Sequence, residues 1–166
     1  MTGDYVKQSA ELYVGSDLDP ADALMIINEA TETIGDLALN YNEIDIVIAG
    51  GGNSWVSFPS DTTAIIIVYD EFGEIYELWS SRGTKVKIED AGDYKAIIRQ
   101  MVPKLTSLAN EIQIHPLFNT AIIAYVRGFM KMRDDDSSPD GQAQMQKFTE
   151  EVQKAHVMLS AMRKRN

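Results

Sequence analysis

Apolar residues recur with a helical period in the first forty residues of the chain. Tyr5 to Val14 carries apolar or small residues at helical spacing, and Gly15 follows as a residue that commonly ends helices. Asp19 and Pro20 then supply an N-cap and a first-turn proline for a second helix, which we expect to run to about Asn40. The apolar face of that helix consists of Ala23, Ile26, Ile27, Ala30, Ile34 and Leu37.

Apolar and polar residues alternate in the middle of the chain, which is typical of strands. Ile44 to Ala49 and Trp55 to Phe58 show this period of two, and Lys85 to Ile88 adds a third short strand. The runs IIIVY and EIYELW are joined by Asp70 to Gly73, which predicts a β-hairpin with Gly73 at a positive φ. Because a lone hairpin is barely stable, we expect the flanking helices to cover this small sheet.

The helical period returns in the second half. From Tyr94 it continues across Pro103, which should kink or divide the helix. Two long helices with coiled-coil spacing then follow, joined by a polar loop and expected to pack antiparallel. The apolar positions of the three segments are Ile97, Ile98, Met101, Leu105 and Leu108; Phe118, Ile122, Tyr125, Phe129 and Met132; and Met145, Phe148, Val152, Ala155, Leu159 and Met162.

These elements predict an α+β fold, mostly helical, with an N-terminal helix pair and a C-terminal antiparallel helix pair around a small antiparallel β-sheet. We expect one domain over residues 1–166, with helices at about 5–40, the β element at about 44–88 and helices at about 92–165. No apolar run has the length of a membrane helix, and Met1 to Val14 lacks the features of a signal peptide. The sequence therefore predicts a soluble, untargeted protein.

Charge is distributed unevenly along the chain, whose net charge is −10. Residues 1–90 hold 17 acidic and 4 basic side chains, a net −13, whereas residues 91–166 hold 8 acidic and 11 basic side chains, a net +3. The acidic excess argues against a protein that binds nucleic acid through bulk electrostatics. Two unlike halves can steer an oriented, heterologous contact between copies, although an uneven solvated surface has the same charge pattern about as often.

No pattern of catalytic, cofactor-binding or metal-binding residues emerges from the sequence. Gly50 to Asn53 lacks the Lys-Ser/Thr of a phosphate loop and precedes a strand. Asp134 to Asp140 begins like a calcium loop but has Pro139 at the sixth position, where glycine is required. The two histidines, His115 and His156, form no metal signature, and Cys is absent. We therefore expect no enzymatic activity, no cofactor and no metal.

The order of parts resembles the head-to-tail adaptor or connector proteins of tailed-bacteriophage necks, the tail tubular protein A type of adaptor. Members begin with a helix pair, here YVKQSAELYV and DPADALMIINEATETIGDLAL. A strand pair follows with a Leu-Pro-x-Asp motif, which Phe58-Pro59-Ser60-Asp61 matches here except that Phe58 replaces the Leu. The closing helix pair resembles HPLFNTAIIAYVRGFMKM and the long helix from about Gly141 to the basic C-terminus, whereas residues 89–114 have no clear counterpart.

The resemblance implies a structural virion protein that links capsid to tail. Its implied partners are the portal protein, a tail or nozzle protein and copies of itself in a dodecameric ring, with DNA passing through the lumen. It also implies localisation in the virion neck, after assembly in the host cytoplasm. The interface residues it suggests are Phe58, Pro59 and Asp61 on the strand motif and Arg163, Lys164 and Arg165 at the C-terminal end.

Two other functions fit the composition. A small acidic inhibitor that mimics DNA would need carboxylates at phosphate separations along one face, and a small enzyme would need an enclosed polar pocket with converging titratable groups. For the adaptor, we hypothesise that acidic side chains facing the channel repel DNA phosphates and let the duplex slide. Replacing exposed acids by Gln should then increase DNA retention without affecting folding, and unchanged retention would contradict the hypothesis.

Overall fold

The chain folds into two compact units. A computed structural model describes residues 1–48, 54–133 and 135–163, without the side chains of Ser54 and Arg163. One unit, the helical unit, comprises Met1–Leu39 and Val102–Asn166, and the other, the β unit, comprises Asn40–Met101. That both units unfold together, as the single domain expected over residues 1–166 would, stays a prediction.

Two capped helices begin the helical unit, as the sequence predicts. Helix α1, Gly3–Val14, starts at Thr2, whose hydroxyl accepts a hydrogen bond from the Tyr5 amide, and ends at Gly15. Helix α2, Pro20–Ile34, starts at Asp19, whose carboxylate accepts from the Ala21 amide at 2.8 Å. It ends before the expected Asn40 because Gly35 has a φ of +50° and a short 3-10 helix, Gly35–Ala38, follows.

The C-terminal helices pack antiparallel, which confirms the expected helix pair. They are α3, Asn119–Met132, and α4, Pro139–Arg163. The rings of Tyr125 and Phe148 meet edge to face with centroids 4.9 Å apart. Nearer the connecting loop, a Cβ on Gly128 would lie only 3.2 Å from the carbonyl oxygen of Gly141, so these two glycines allow a close approach of the helices.

The β unit contains two three-stranded antiparallel sheets, with strand orders β1-β6-β3 and β2-β5-β4. The strands are β1, Tyr41–Ile48; β2, Ser54–Ser57; β3, Thr62–Tyr69; β4, Trp79–Arg82; β5, Lys85–Ile88; and β6, Gly92–Gln100. Side chains from both sheets pack into one core because alternate residues of each strand point inward. That core contains Ile46, Ile48, Phe58, Val68, Val86, Ile88, Tyr94, Ala96 and Ile98.

The helix predicted from Tyr94 is wrong, because residues 92–100 form the central strand β6. Tyr94, Ala96 and Ile98 are buried at a period of two, and the strand pairs with β1 on one side and β3 on the other. The adjacent isoleucines Ile97 and Ile98 are compatible with both a helical and a strand period. Pairing with distant strands therefore decides whether the segment is a helix or a strand.

Residues 101–115 are irregular, so the second part of that predicted helix is also wrong. The Asn28 side chain replaces helical hydrogen bonding there, since it accepts from the Leu105 amide at 2.7 Å and donates to the Leu105 carbonyl at 2.9 Å. This bidentate contact fixes the segment against α2.

The predicted hairpin is correct at its turn and wrong in its second strand. Gly73 has a φ of +80°, and the Asp70 carboxylate accepts hydrogen bonds from the amides of Phe72 and Glu74. After the turn, however, residues 74–78 form no strand, and they contact β3 through a bridge between Tyr69 and Ile75 and a hydrogen bond from the Tyr76 amide to the Val68 carbonyl. The principal partner of β3 is β6, a nine-residue strand that offers a longer ladder than the segment after the turn.

Candidate interaction surface

The Phe58 to Asp61 motif forms a corner of the β unit. Phe58 is 6% exposed, and its amide donates to the Thr84 carbonyl at 2.7 Å. The Pro59 carbonyl accepts from the Thr62 amide, and the Asp61 carboxylate accepts from Gln100 Nε2 at 3.0 Å. These contacts give the motif a local structural role, in which Phe58 contributes to the core. Its role at an interface with another protein stays a prediction.

Several segments named from the sequence lie outside the described residues. They include Gly50 to Asn53 and Asp134, together with Lys164, Arg165 and the side chain of Arg163. The described part of the acidic loop has a structural explanation, because the Asp135 carboxylate accepts hydrogen bonds from the Ser137 amide and hydroxyl at 2.9 and 2.6 Å. These hydrogen bonds lower the pKa of Asp135, and they show that its carboxylate is hydrogen-bonded within the loop.

The histidines contact backbone atoms. His115 Nδ1 accepts from the Leu117 amide at 3.3 Å and so caps the 3-10 turn Pro116–Phe118 that precedes α3. His156 Nδ1 lies 3.1 Å from the Leu37 carbonyl and links α4 to the 3-10 helix after α2. Within the three described ranges, no group of three His, Asp or Glu residues is arranged to hold a metal ion.

A polar cluster in the helical unit joins residues that no sequence pattern indicates. It is centred on Tyr13, whose hydroxyl donates to Asp140 Oδ1 at 2.9 Å and accepts from Gln144 Nε2 at 2.9 Å. The Arg127 guanidinium lies 4.6 Å from the centre of the Tyr13 ring and donates to Ser9 Oγ at 2.9 Å. Its members lie on α1, α3 and α4, so no sequence spacing indicates that they meet.

The electrostatics of this cluster disfavour catalysis. The hydrogen bond to Asp140 and, to a lesser degree, burial raise the pKa of Tyr13, which keeps the phenol neutral. Asp140 also lies 3.4 Å from Lys131 Nζ, so its carboxylate has two partners. A phenol held neutral and a paired carboxylate are poor nucleophiles and bases at neutral pH. The cluster instead fastens α1 to the pair formed by α3 and α4.

Large apolar side chains are exposed on the outer surfaces of α1 and α4. Leu12 is 87% exposed and lies at the edge of a depression of about 620 Å³ that is also lined by Glu11 and Asp17. On α4, Val157, Met158 and Met162 are exposed in the last two turns. Met162 therefore lies outside the buried face predicted for that helix. Clustered apolar side chains on a surface are a feature of protein contact sites.

Comparisons with models of known protein families and with curated proteins give no significant match for this chain. Within the part of the chain that the structure describes, the helices are too short or too polar to cross a bilayer.

Proposed function

We propose that the chain is a structural virion protein, a head-to-tail adaptor that assembles as a ring beneath the portal of a tailed bacteriophage and links capsid to tail. It acts through the shape and charge of its surfaces, without a catalytic step or cofactor. Its partners are the portal protein, a tail or nozzle protein and copies of itself.

The observation that carries the proposal is the order of the parts. A capped helix pair and a closing antiparallel helix pair belong to one unit, and an antiparallel β unit is inserted between them in the sequence. The resemblance noted from the sequence implies this order, with the Phe58 to Asp61 motif between two strands of the inserted unit.

Exposed apolar side chains support an assembly role. Leu12 on α1 and the group at the end of α4 are available for contact with other proteins. A ring of identical subunits requires two different surfaces on each copy, because each contact joins one surface to another. The net charges of residues 1–90 and 91–166 have opposite signs, so charge is unevenly distributed along the chain, as two unlike surfaces require.

Light scattering and electron microscopy of the purified chain, alone and mixed with portal and tail proteins of tailed phages, test the proposal. We expect a closed annulus bound to the portal. A chain that stays monomeric and unbound with every portal tested would contradict the adaptor function. A variant with Lys164 and Arg165 replaced by Gln tests the basic end separately and should bind the portal more weakly, because these two cations are proposed to take part in docking.

A further inference from the structure

One face of the β unit is basic although the surrounding sequence is acidic. Residues that face each other across an antiparallel ladder share a face of the sheet, and Lys85 lies opposite both Ser57 and Arg82. Lys87 likewise lies opposite Trp55 and Ser80. We call this outer surface of the sheet β2-β5-β4 the basic face; it consists of Trp55, Ser57, Ser80, Arg82, Lys85 and Lys87.

The cations of the basic face are concentrated and available. Arg82, Lys85 and Lys87 are three of the four basic residues among the first 90. None of the three forms an ion pair with another described residue. The Trp55 side chain is 46% exposed beside them. An aromatic residue that shares one face of a sheet with unpaired cations is suited to contact with an acidic surface.

The other sheet presents the opposite charge. On the outer surface of β1-β6-β3, Asp93 lies opposite Val47 and Asp45 lies opposite Lys95. Glu43 pairs with Lys95 at 2.7 Å, and Arg99 lies at the far end of the same surface, opposite Tyr41, so Asp45 and Asp93 are in excess at the end near the turn. Together with the turn that follows β3, this surface forms the acidic face; it consists of Asp45, Val47, Asp70, Glu71, Phe72 and Asp93.

The acidic face also offers a place for an aromatic side chain. A depression of about 660 Å³ lies between β1, β6 and the turn, and Val47 and Phe72 form part of its lining. Phe72 is 81% exposed and Val47 is 71% exposed, so apolar surface borders the carboxylates of Asp45 and Glu71. Contacts between proteins gain most from an aromatic residue that enters such a depression.

The two faces point away from each other. Side chains on the inner surfaces of both sheets share one core, so the outer surfaces lie on opposite sides of the β unit. We propose that the basic face of one copy docks on the acidic face of the next, with Trp55 against the depression beside Phe72. Such a head-to-tail contact uses two different surfaces and repeats from copy to copy.

A second copy fits these observations better than a nucleic acid. The basic face has only three cations on a chain of net charge −10, and this net charge repels DNA. The acidic face of the same protein, in contrast, matches the basic face in charge and in exposed apolar surface. This inference rests on the proposed assembly function and adds the surfaces through which copies meet.

Cysteine cross-linking tests the contact directly because the chain has no Cys of its own. Val47→Cys on the acidic face and Ser80→Cys on the basic face are mixed at high concentration and low salt and then oxidised. We expect the mixed disulfide dimer to exceed either dimer of a single variant by at least about tenfold. A mixture of Ser80→Cys with Ala143→Cys, an exposed position on α4 outside both faces, is the matched control. Equal yields in all mixtures would overturn the inference.

Charge reversal then tests the electrostatic part. One variant carries Arg82→Glu, Lys85→Glu and Lys87→Glu on the basic face together with Ser80→Cys. The other carries Asp45→Lys, Glu71→Lys and Asp93→Lys on the acidic face together with Val47→Cys. Either variant, mixed with the unreversed partner that carries the other cysteine, should form about tenfold less mixed disulfide than the two unreversed proteins. The two reversed variants mixed together should cross-link again, because their reversed faces are complementary. Circular dichroism and elution volume establish that both variants fold. Failure of the mixture to recover cross-linking would overturn the inference.

Binding to DNA is measured to test the alternative interpretation, in which the basic face binds nucleic acid. If the triple glutamate variant loses retention on a single-stranded oligonucleotide while its cross-linking stays at the parental level, the face binds nucleic acid and the inference is wrong. The adaptor function is tested by a different outcome. If a portal-bound annulus forms without cross-linking between the two faces, the adaptor function is supported and only the proposed contact surfaces are wrong.

Discussion

The two units differ in how they use their apolar residues. In the helical unit, α1 and α2 pack with α3 and α4 around a core in which Phe118 and Ile122 are fully buried. The β unit has a smaller core, formed where the inner surfaces of two small sheets meet, and none of its described residues is helical. Both of its outer surfaces therefore carry side chains that its own core does not use. The helical unit thus has the larger core, whereas the outer surfaces of the β unit present charged and aromatic side chains.

Truncation of the helical core should have the largest effect. Phe118→Ala removes a fully buried ring at the start of α3 and should lower the free energy of unfolding by about 3 to 5 kcal/mol. Denaturant unfolding followed by far-UV circular dichroism, which is dominated by the helices, measures the loss. Leu12→Ala, at a position 87% exposed, is the control and should change it by less than about 0.5 kcal/mol.

Truncation of the β core should have a somewhat smaller effect and should report on the independence of the units. Ile98→Ala removes a fully buried side chain from β6 and should cost about 2 to 4 kcal/mol, with exposed Ile75→Ala as control. Both tryptophans, Trp55 and Trp79, lie in the β unit, so their fluorescence follows that unit alone.

We expect Ile98→Ala to shift the fluorescence transition more than the circular dichroism transition, and Phe118→Ala to do the reverse. Equal shifts of both transitions in each variant would instead support the single domain predicted from the sequence, because a two-state domain unfolds as one body by every probe.

Loss of one contact in the polar cluster should have a smaller effect. Tyr13→Phe removes the hydrogen bonds with Asp140 and Gln144 but keeps the ring below Arg127. We expect a loss of about 1 kcal/mol, measured by thermal or denaturant unfolding. Tyr5→Phe, on the same helix with an exposed ring, should be neutral. A loss of equal size in both variants would show that the hydroxyl contacts of Tyr13 contribute nothing specific.

The last expected effect is absent at neutral pH and appears only at alkaline pH. Burial and then the hydrogen bond to Glu29 raise the pKa of Tyr125 to about 12. The unfolded chain loses this proton near the ordinary tyrosine pKa of about 10, so unfolding releases a proton between these values. The stabilisation is complete below about pH 10 and is lost as the pH rises toward 12.

Tyr125→Phe cannot release this proton, so its free energy of unfolding should fall less steeply than that of the parent over the same pH range. Unfolding curves at several alkaline pH values measure the slope, and Tyr5→Phe serves as the control. A slope for Tyr125→Phe as steep as the parental one would contradict the assignment.

The sequence predicted helix ends and turns correctly where a single residue determines the backbone conformation at its own position. Asp19 with Pro20 begins α2, Gly15 ends α1, and Gly73 takes a positive φ in its turn, each as predicted. Capping and turn formation depend on neighbours a few residues away, so the sequence contains the necessary information. The polar cluster around Tyr13 had no such signal, because its members come from three helices.

By itself, then, the sequence determined the α+β class, the helix pairs at both ends and the strand at Lys85–Ile88. Only the tertiary structure decided that residues 92–100 are a strand, because Ile97 and Ile98 fit either period until β1 and β3 pair with them. The tertiary structure also decided that Arg82, Lys85 and Lys87 share one outer surface of the β unit and that Asp45 and Asp93 share the other. Strand register sets which side chains share a face, and register forms between segments that are distant in the chain.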